Sequence, residues 1–226
     1  LRYKLFLLLT LVVATFFMAS KARQVLYSYE FMPLLPTDDP VYVEYQEFLS
    51  HFGQEGNVMV VGFQCDSLYQ LEKYNAFYDL CGNLKEVEGV EQVVSLFQAH
   101  NMTKNETSKS FEFKPVNTQR LQTQDEAYLV KEELESLPFY KKLFYNEDQK
   151  AYLMALTLNK ELLDSEARIV LIQTIEDIIN PFAEQIHVDV HYSGLPYIRT
   201  KSAVKTKAEV EMFIFLAMGV TALIML

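Results

Sequence analysis

Positive charge is scarce in this chain. Its 20 lysines and arginines stand against 30 aspartates and glutamates, leaving a net charge of −10 at pH 7. Nucleic-acid binding needs a basic face against phosphate, so the balance argues against that class of partner. No Gly-rich phosphate loop and no nucleophile elbow occurs. Carboxylates are plentiful but show no paired constellation at a useful spacing; Glu132, Glu133 and Glu135 read as the wet face of a helix. Nothing in the sequence demands an enzyme or a cofactor. Cysteine is down to 2 residues. Cys65 falls at the far end of a strand and Cys81 near the end of the helix returning from it, beyond the ~7 Å Cα limit for a disulfide. Two free, mostly buried thiols are expected.

What the chain does have is apolar sequence, half of its residues, with 13% aromatic. That suffices for one large or two small domains with a core. Two runs are candidate membrane segments. The first, LFLLLTLVVATFFMAS (Leu5–Ser20), is flanked by Lys4 and Lys21. As a helix it is roughly 24 Å long, short of a bilayer core of about 30 Å, with lysines at each end able to snorkel outward. A cleaved signal peptide is the alternative, Ser20-Lys21-Ala22 being a small-x-small pattern. The length favours an uncleaved anchor over residues 1–21. The second run, MFIFLAMGVTALIML, begins at Met212 and reads as a span truncated at Leu226 rather than a buried core helix. The chain opens on Leu1 and stops on TALIML, as a fragment of a longer protein would. Lys21 and Arg23 offset Arg2 and Lys4, so the positive-inside count leaves the orientation open.

Between the runs, residues 22–56 read as an extended approach and a helix. Asp38 or Asp39 caps it, Pro40 takes its first position and Gly53 ends it. Tyr45, Phe48, Leu49 and Phe52 share one face. A strand at 57–65, NVMVVGFQC, is apolar on both faces. A helix at 68–81 follows, with Leu71, Tyr74, Tyr78 and Cys81 in one stripe and Gly82 closing it. A strand at 89–96 completes a βαβ unit over 57–99. Residues 100–124 turn polar and read as a linker or flexible loop between lobes. They hold two glycosylation sequons, Asn101-Met-Thr103 and Asn105-Glu-Thr107.

The second lobe, 125–195, begins with a helix at 125–137 carrying Tyr128, Leu129, Val130, Leu134 and Leu137. A hairpin turns at Asn146–Gln149 into a strand at 151–158. A helix from Asp164 or Ser165 puts Leu171, Ile175, Ile178, Ile179 and Phe182 inward, and Pro181 should bend or end it. The last strand, IHVDVHYS, alternates strictly: Ile186, Val188, Val190 and Tyr192 on one face, His187, Asp189, His191 and Ser193 on the other. His187, Asp189 and His191 are metal-ligand types ~6.5–7 Å apart. With no fourth ligand nearby, a solvated strand face is the better reading. The fold expected is α+β, two similar βαβ lobes of ferredoxin-like, porter type between two membrane helices.

One more stretch stands out. HYSGLPYIRTK, 191–201, leads from that strand into a basic amphipathic helix, 196–211, and on to the run at 212–226. A strand ending in Ser-Gly-Leu-Pro before a membrane span resembles the RND exporters, in particular their hydrophobe-exporting, MmpL-like branch. PLLPTDDPVYVEYQEFLSHFG, the strand at 57–65, VEGVEQVVSLF at 87–97 and YNEDQKAYLMALTL at 145–158 fall in the matching order, so the resemblance covers nearly the whole chain. Gly194 permits a backbone angle that a side chain resists, and Pro196 suits a helix's first turn. Together they make a stiff corner that passes lobe movement to the span. Arg199, Lys201, Lys205 and Lys207 are placed either at the lipid interface, near phosphates, or as solubilising charges.

The resemblance implies a proton-driven exporter of lipids or other hydrophobic molecules in a bacterial inner membrane, residues about 22–208 lying on the extracytoplasmic side. It implies membrane lipids, a hydrophobic substrate and the other half of the transporter as partners, and allows a homo-oligomer. The substrate path would run between the two lobes. The proton-relay residues would lie in later membrane helices, so no residue here takes that role. Two rivals are a two-span sensor ectodomain and a secretion factor like the Sec accessory proteins.

Overall fold

A computed structural model describes residues 3–22, 36, 38–52, 56–105, 109–141, 143–146 and 148–225. The chain forms two compact units, Leu1–Phe31 and Met32–Leu226. The first holds helix α1 (Lys4–Ala22), on which Phe6, Leu9, Val12, Val13, Phe16, Phe17 and Met18 are exposed.

The second unit starts with α2 (Pro40–Phe52). The Asp39 carboxylate accepts the Val41 amide at 2.8 Å, satisfying one of the open donors at the helix start. Tyr45 and Phe48 are exposed, and Gly53, the expected stop, lies outside the described residues. Strand β1 (Val58–Gln64) leads to α3 (Leu71–Lys85) and β2 (Val90–Val94). Gly82 sits inside α3 instead of ending it. A hairpin of β3 (His100–Asn105) and β4 (Ser110–Pro115) follows, then α4 (Gln124–Glu135). Short β5 (Tyr145–Asn146) turns into β6 (Ala151–Leu158), and α5 (Lys160–Leu163) precedes α6 (Ala167–Ile186). Strand β7 (Val190–Ser193) and α7 (Leu195–Met225) complete the order.

The two expected βαβ units share a single sheet. Its order is β2-β6-β1-β7, with β5 on β6, and each of these pairs is antiparallel. The units interleave: β6 of the second lies between β1 and β2 of the first, and β1 lies between β6 and β7. β1 and β6 are the central strands, and helices cover one of their two apolar faces. Met59, Val61, Phe63, Met154, Leu156 and Leu158 are buried. Phe63 packs on Phe77 of α3 at 5.0 Å and on Phe182 of α6 at 5.4 Å, so both helices cover this face. The other face carries Val60 and Ala155, half-buried, and Val58 and Leu153, each 37% exposed.

Four other expectations change. Residues 100–124 are not a linker: the β3–β4 hairpin pairs from His100↔Pro115 to Asn105↔Ser110, and the strap after it is clamped to α3. Buried Asn75 donates to the Leu121 carbonyl at 2.9 Å and accepts its amide at 3.0 Å, while Asn117 donates to the Tyr74 hydroxyl at 3.0 Å. Gln124 then accepts the Leu71 amide at 2.9 Å, capping α3 from across the fold. On α4 the buried residues are Ala127, Val130 and Leu134, whereas Tyr128 and Leu129 point outward. Pro181 lies inside α6 and does not end it. Ile186 belongs to that helix and not to a strand, and His187 caps it in the left-handed region at φ 58°.

Candidate functional site: the junction of sheet and long helix

The corner from β7 to α7 is built against β1. Gly194 takes φ +103°, a region that side chains resist. A Cβ there would run into the Val58 carbonyl oxygen and stand 3.1 Å from the Met59 Cα. The Gly194 carbonyl accepts the Ile198 amide at 3.1 Å, starting the helix. Pro196, its second residue, is buried and accepts the Thr200 hydroxyl at 2.7 Å, with Thr200 only 2% exposed.

Beside this corner sits a polar cluster joining three elements. The Glu176 carboxylate of α6 accepts the Tyr197 hydroxyl at 3.1 Å and the Lys201 ammonium at 2.7 Å. That ammonium also stands 5.4 Å from the Tyr197 ring centroid, a cation–π distance. The Tyr197 ring stacks on Tyr192 of β7, centroids 5.0 Å apart. Glu176 is 9% exposed, whereas Lys201 is half-exposed, so solvent screens the pair and its contribution is about 1–2 kcal/mol. Burial first, then the Glu176 charge and Tyr197, pushes the Tyr192 phenol up to about 12. Burial and the Glu176 charge raise Tyr197 as well. The cluster fastens the first turns of α7 to the domain. Beyond Glu211 the large side chains of α7, from Met212 to Ile224, are exposed and apolar.

The basic residues expected at a lipid interface are thus divided. Lys201 is held by Glu176. Lys205 is exposed with Glu209 at 3.9 Å one turn on, Arg199 is half-buried and Lys207 exposed. The helix expected over 196–211 and the run from 212 form one continuous helix. Among the described residues no helix is long and apolar enough to cross a membrane. The His187, Asp189 and His191 set does not assemble on one strand face. His187 caps α6, Asp189 precedes β7, and only His191, paired with Gly62, lies on the strand. No group of three ligand-type residues could hold a metal among the described residues. Cys65 and Cys81 are free and buried, as the spacing argument expects.

Glu176 escaped the sequence reading although it left a signal. It sits four residues after Ile172 and three before Ile179, both fully buried, so helical spacing places a carboxylate in the inward stripe. A cavity of about 320 Å³ lies between α3 and α6, lined among others by Ala76, Leu80, Ile178 and Phe182. Asp79 and Arg120, which also line it, pair at 3.0 Å. Compared with known proteins, the chain matches no family model and no curated sequence.

Proposed function

We propose that this chain is the extracytoplasmic porter portion of an RND-type exporter of lipids or other hydrophobic molecules. The supporting observation is the route from sheet to helix. A split βαβ sheet, ferredoxin-like in its β2-β6-β1-β7 order, runs through the Gly194 corner into a helix of 31 residues. That helix is latched to the domain at one end, and its large side chains are apolar and exposed at the other. In this reading the apolar end enters a bacterial inner membrane, residues about 22–208 lie outside the cytoplasm, and proton coupling belongs to the remaining half of the transporter. Because one sheet replaces the two lobes, the substrate path moves from a cleft between lobes to the open sheet face bearing Val58, Val60, Leu153 and Ala155. An apolar strand surface of this kind accepts hydrophobic cargo by shape and area rather than by specific hydrogen bonds.

The test is native mass spectrometry of the full chain purified in detergent, with extraction of whatever hydrophobic molecule stays bound. A discrete adduct that disappears in Leu153→Glu, with the fold retained by circular dichroism, supports the reading. Retention of bulk membrane lipid alone, unchanged by that substitution, overturns it.

A further inference from the structure

The open face of the sheet can be read row by row from the strand register. His191 of β7 lies opposite Gly62 of β1, and Gly62 opposite Leu153 of β6. In the next row Ser193 lies opposite Val60, Val60 opposite Ala155, and Ala155 opposite Val94 of β2. Residues directly opposite share a face, and α3 and α6 cover the other one. The flanking rows add Gln64 with Ala151, and Val58 with Thr157 and Gln92. Not one of these side chains is an aspartate, glutamate, lysine or arginine, although 22% of the chain is charged. A sheet face left to water normally carries the polar half of the alternation. Charge returns at the rim, and there it is held. Lys150 pairs with Asp66 at 3.1 Å, and Glu91, at the bulge of β2, accepts the Asn159 side-chain amide at 3.0 Å.

The face is also flat. Leu153 leans over Gly62, its Cδ2 standing 2.8 Å from where a Cβ would be, and the row beyond is built of short side chains. Four strands about 4.8 Å apart, crossed by the seven residues of β1, give a patch of about 14 by 20 Å. That is well under the roughly 800 Å² that each partner gives to a stable protein interface. The area fits a lipid-sized molecule and not a second protein. Gln64, Gln92, Ser193 and Thr157 donate and accept hydrogen bonds without an ionised group. An ionised head brought onto this surface would shed water and meet no counter-charge, which disfavours it. We propose that the open face selects lipids whose head carries hydroxyl or ester groups and no charge, and rejects fatty acids and alkylamines of the same chain length. The inference rests on the export reading, which makes this face the substrate path, and names the class of cargo that path takes.

The experiment uses the full chain in phosphatidylcholine nanodiscs with three photoreactive probes of one chain length: a monoacylglycerol, a fatty acid and an alkylamine, each with a diazirine at the chain end. After illumination, peptide mass spectrometry reads labelling over 58–64 and 151–157. The monoacylglycerol is expected to label these strands at least about tenfold more than either charged probe, and its unlabelled form should compete. Ala155→Lys supplies a counter-charge and should raise fatty-acid labelling about tenfold. Equal labelling by a charged probe in the unsubstituted chain overturns the proposal while leaving the export path in place. Fatty-acid labelling that exceeds the monoacylglycerol's and is lost in His191→Gln also overturns it, assigning an anionic head to the one titratable side chain in these rows. Labelling of α7 by all three probes with none on the strands overturns the proposal and the export reading together.

Discussion

Glu176 and Lys201 meet at 2.7 Å across 25 positions of sequence, and their pairing ties the long C-terminal helix to the sheet's covering helix. Glu176→Gln keeps an acceptor for Tyr197 but removes the charge. A stability loss of about 1 kcal/mol is expected, with faster hydrogen exchange over 197–203. Lys201→Met strands a nearly buried carboxylate and should cost more, about 2 kcal/mol. Chemical denaturation of both variants and of the double variant checks this. The double variant should fall well short of the sum.

Gly194→Ala meets both backbone strain and the Val58 carbonyl. A loss of at least about 2 kcal/mol is expected, against a gain of about 0.5–1 kcal/mol for Gly82→Ala, which lies inside α3 and whose added Cβ meets nothing within 4 Å. Thermal melts of the two variants give the comparison directly.

Alkaline pH should unfold the domain in a defined window. Burial raises Tyr74 and Tyr192 from 10.0 to about 12, and Cys81 from 9.0 to about 12. A folded-state value above the unfolded one means the neutral form is favoured on folding. The stability these groups contribute is full below pH 9 to 10 and is lost as pH rises towards 12. Tyr192→Phe removes one such group and a buried hydroxyl that has no hydrogen-bond partner among the described residues. It should be neutral or slightly stabilising at pH 7, and its stability should fall less steeply above pH 10. Urea midpoints measured from pH 7 to 11.5 test both parts.

Asn75 does for the 116–121 strap what a strand partner would do, giving and taking one hydrogen bond with Leu121. Asn75→Ala should cost about 2 kcal/mol and open the strap to limited proteolysis while far-UV circular dichroism changes little. Cleavage in the strap no faster than in the unsubstituted chain would show that the strap is held by other contacts.

The sequence carried the helices and strands of the core because their periodicity is set by burial, and burial is what alternation reports. It carried less of what depends on pairing. Strand interleaving was illegible because β1 and β6 read the same whether their neighbour is parallel or antiparallel. The β3–β4 hairpin was lost because its apolar residues, Met102, Phe111 and Phe113, face solvent and its polar ones face the protein. The last strand was read four residues too long, since the alternation from Ile186 continues smoothly across the left-handed His187 where α6 ends. Gly194 and Pro196 were legible as a corner because backbone chemistry is local. Glu176, which holds Tyr197 and Lys201 just beyond that corner, lies on another element and went unread, its place among isoleucines being the one signal it left.

The proposed export function requires α7 to carry the domain into a bilayer, and spin labels placed singly from 201 to 224 in the full chain, reconstituted in liposomes, test that most directly. The expected result is collision with a water-soluble nickel reagent at 201–209, giving way to collision with oxygen alone from 212 onward, on every face of the helix. Nickel accessibility that persists through 224, or that recurs with a period of 3.6 residues, would contradict it.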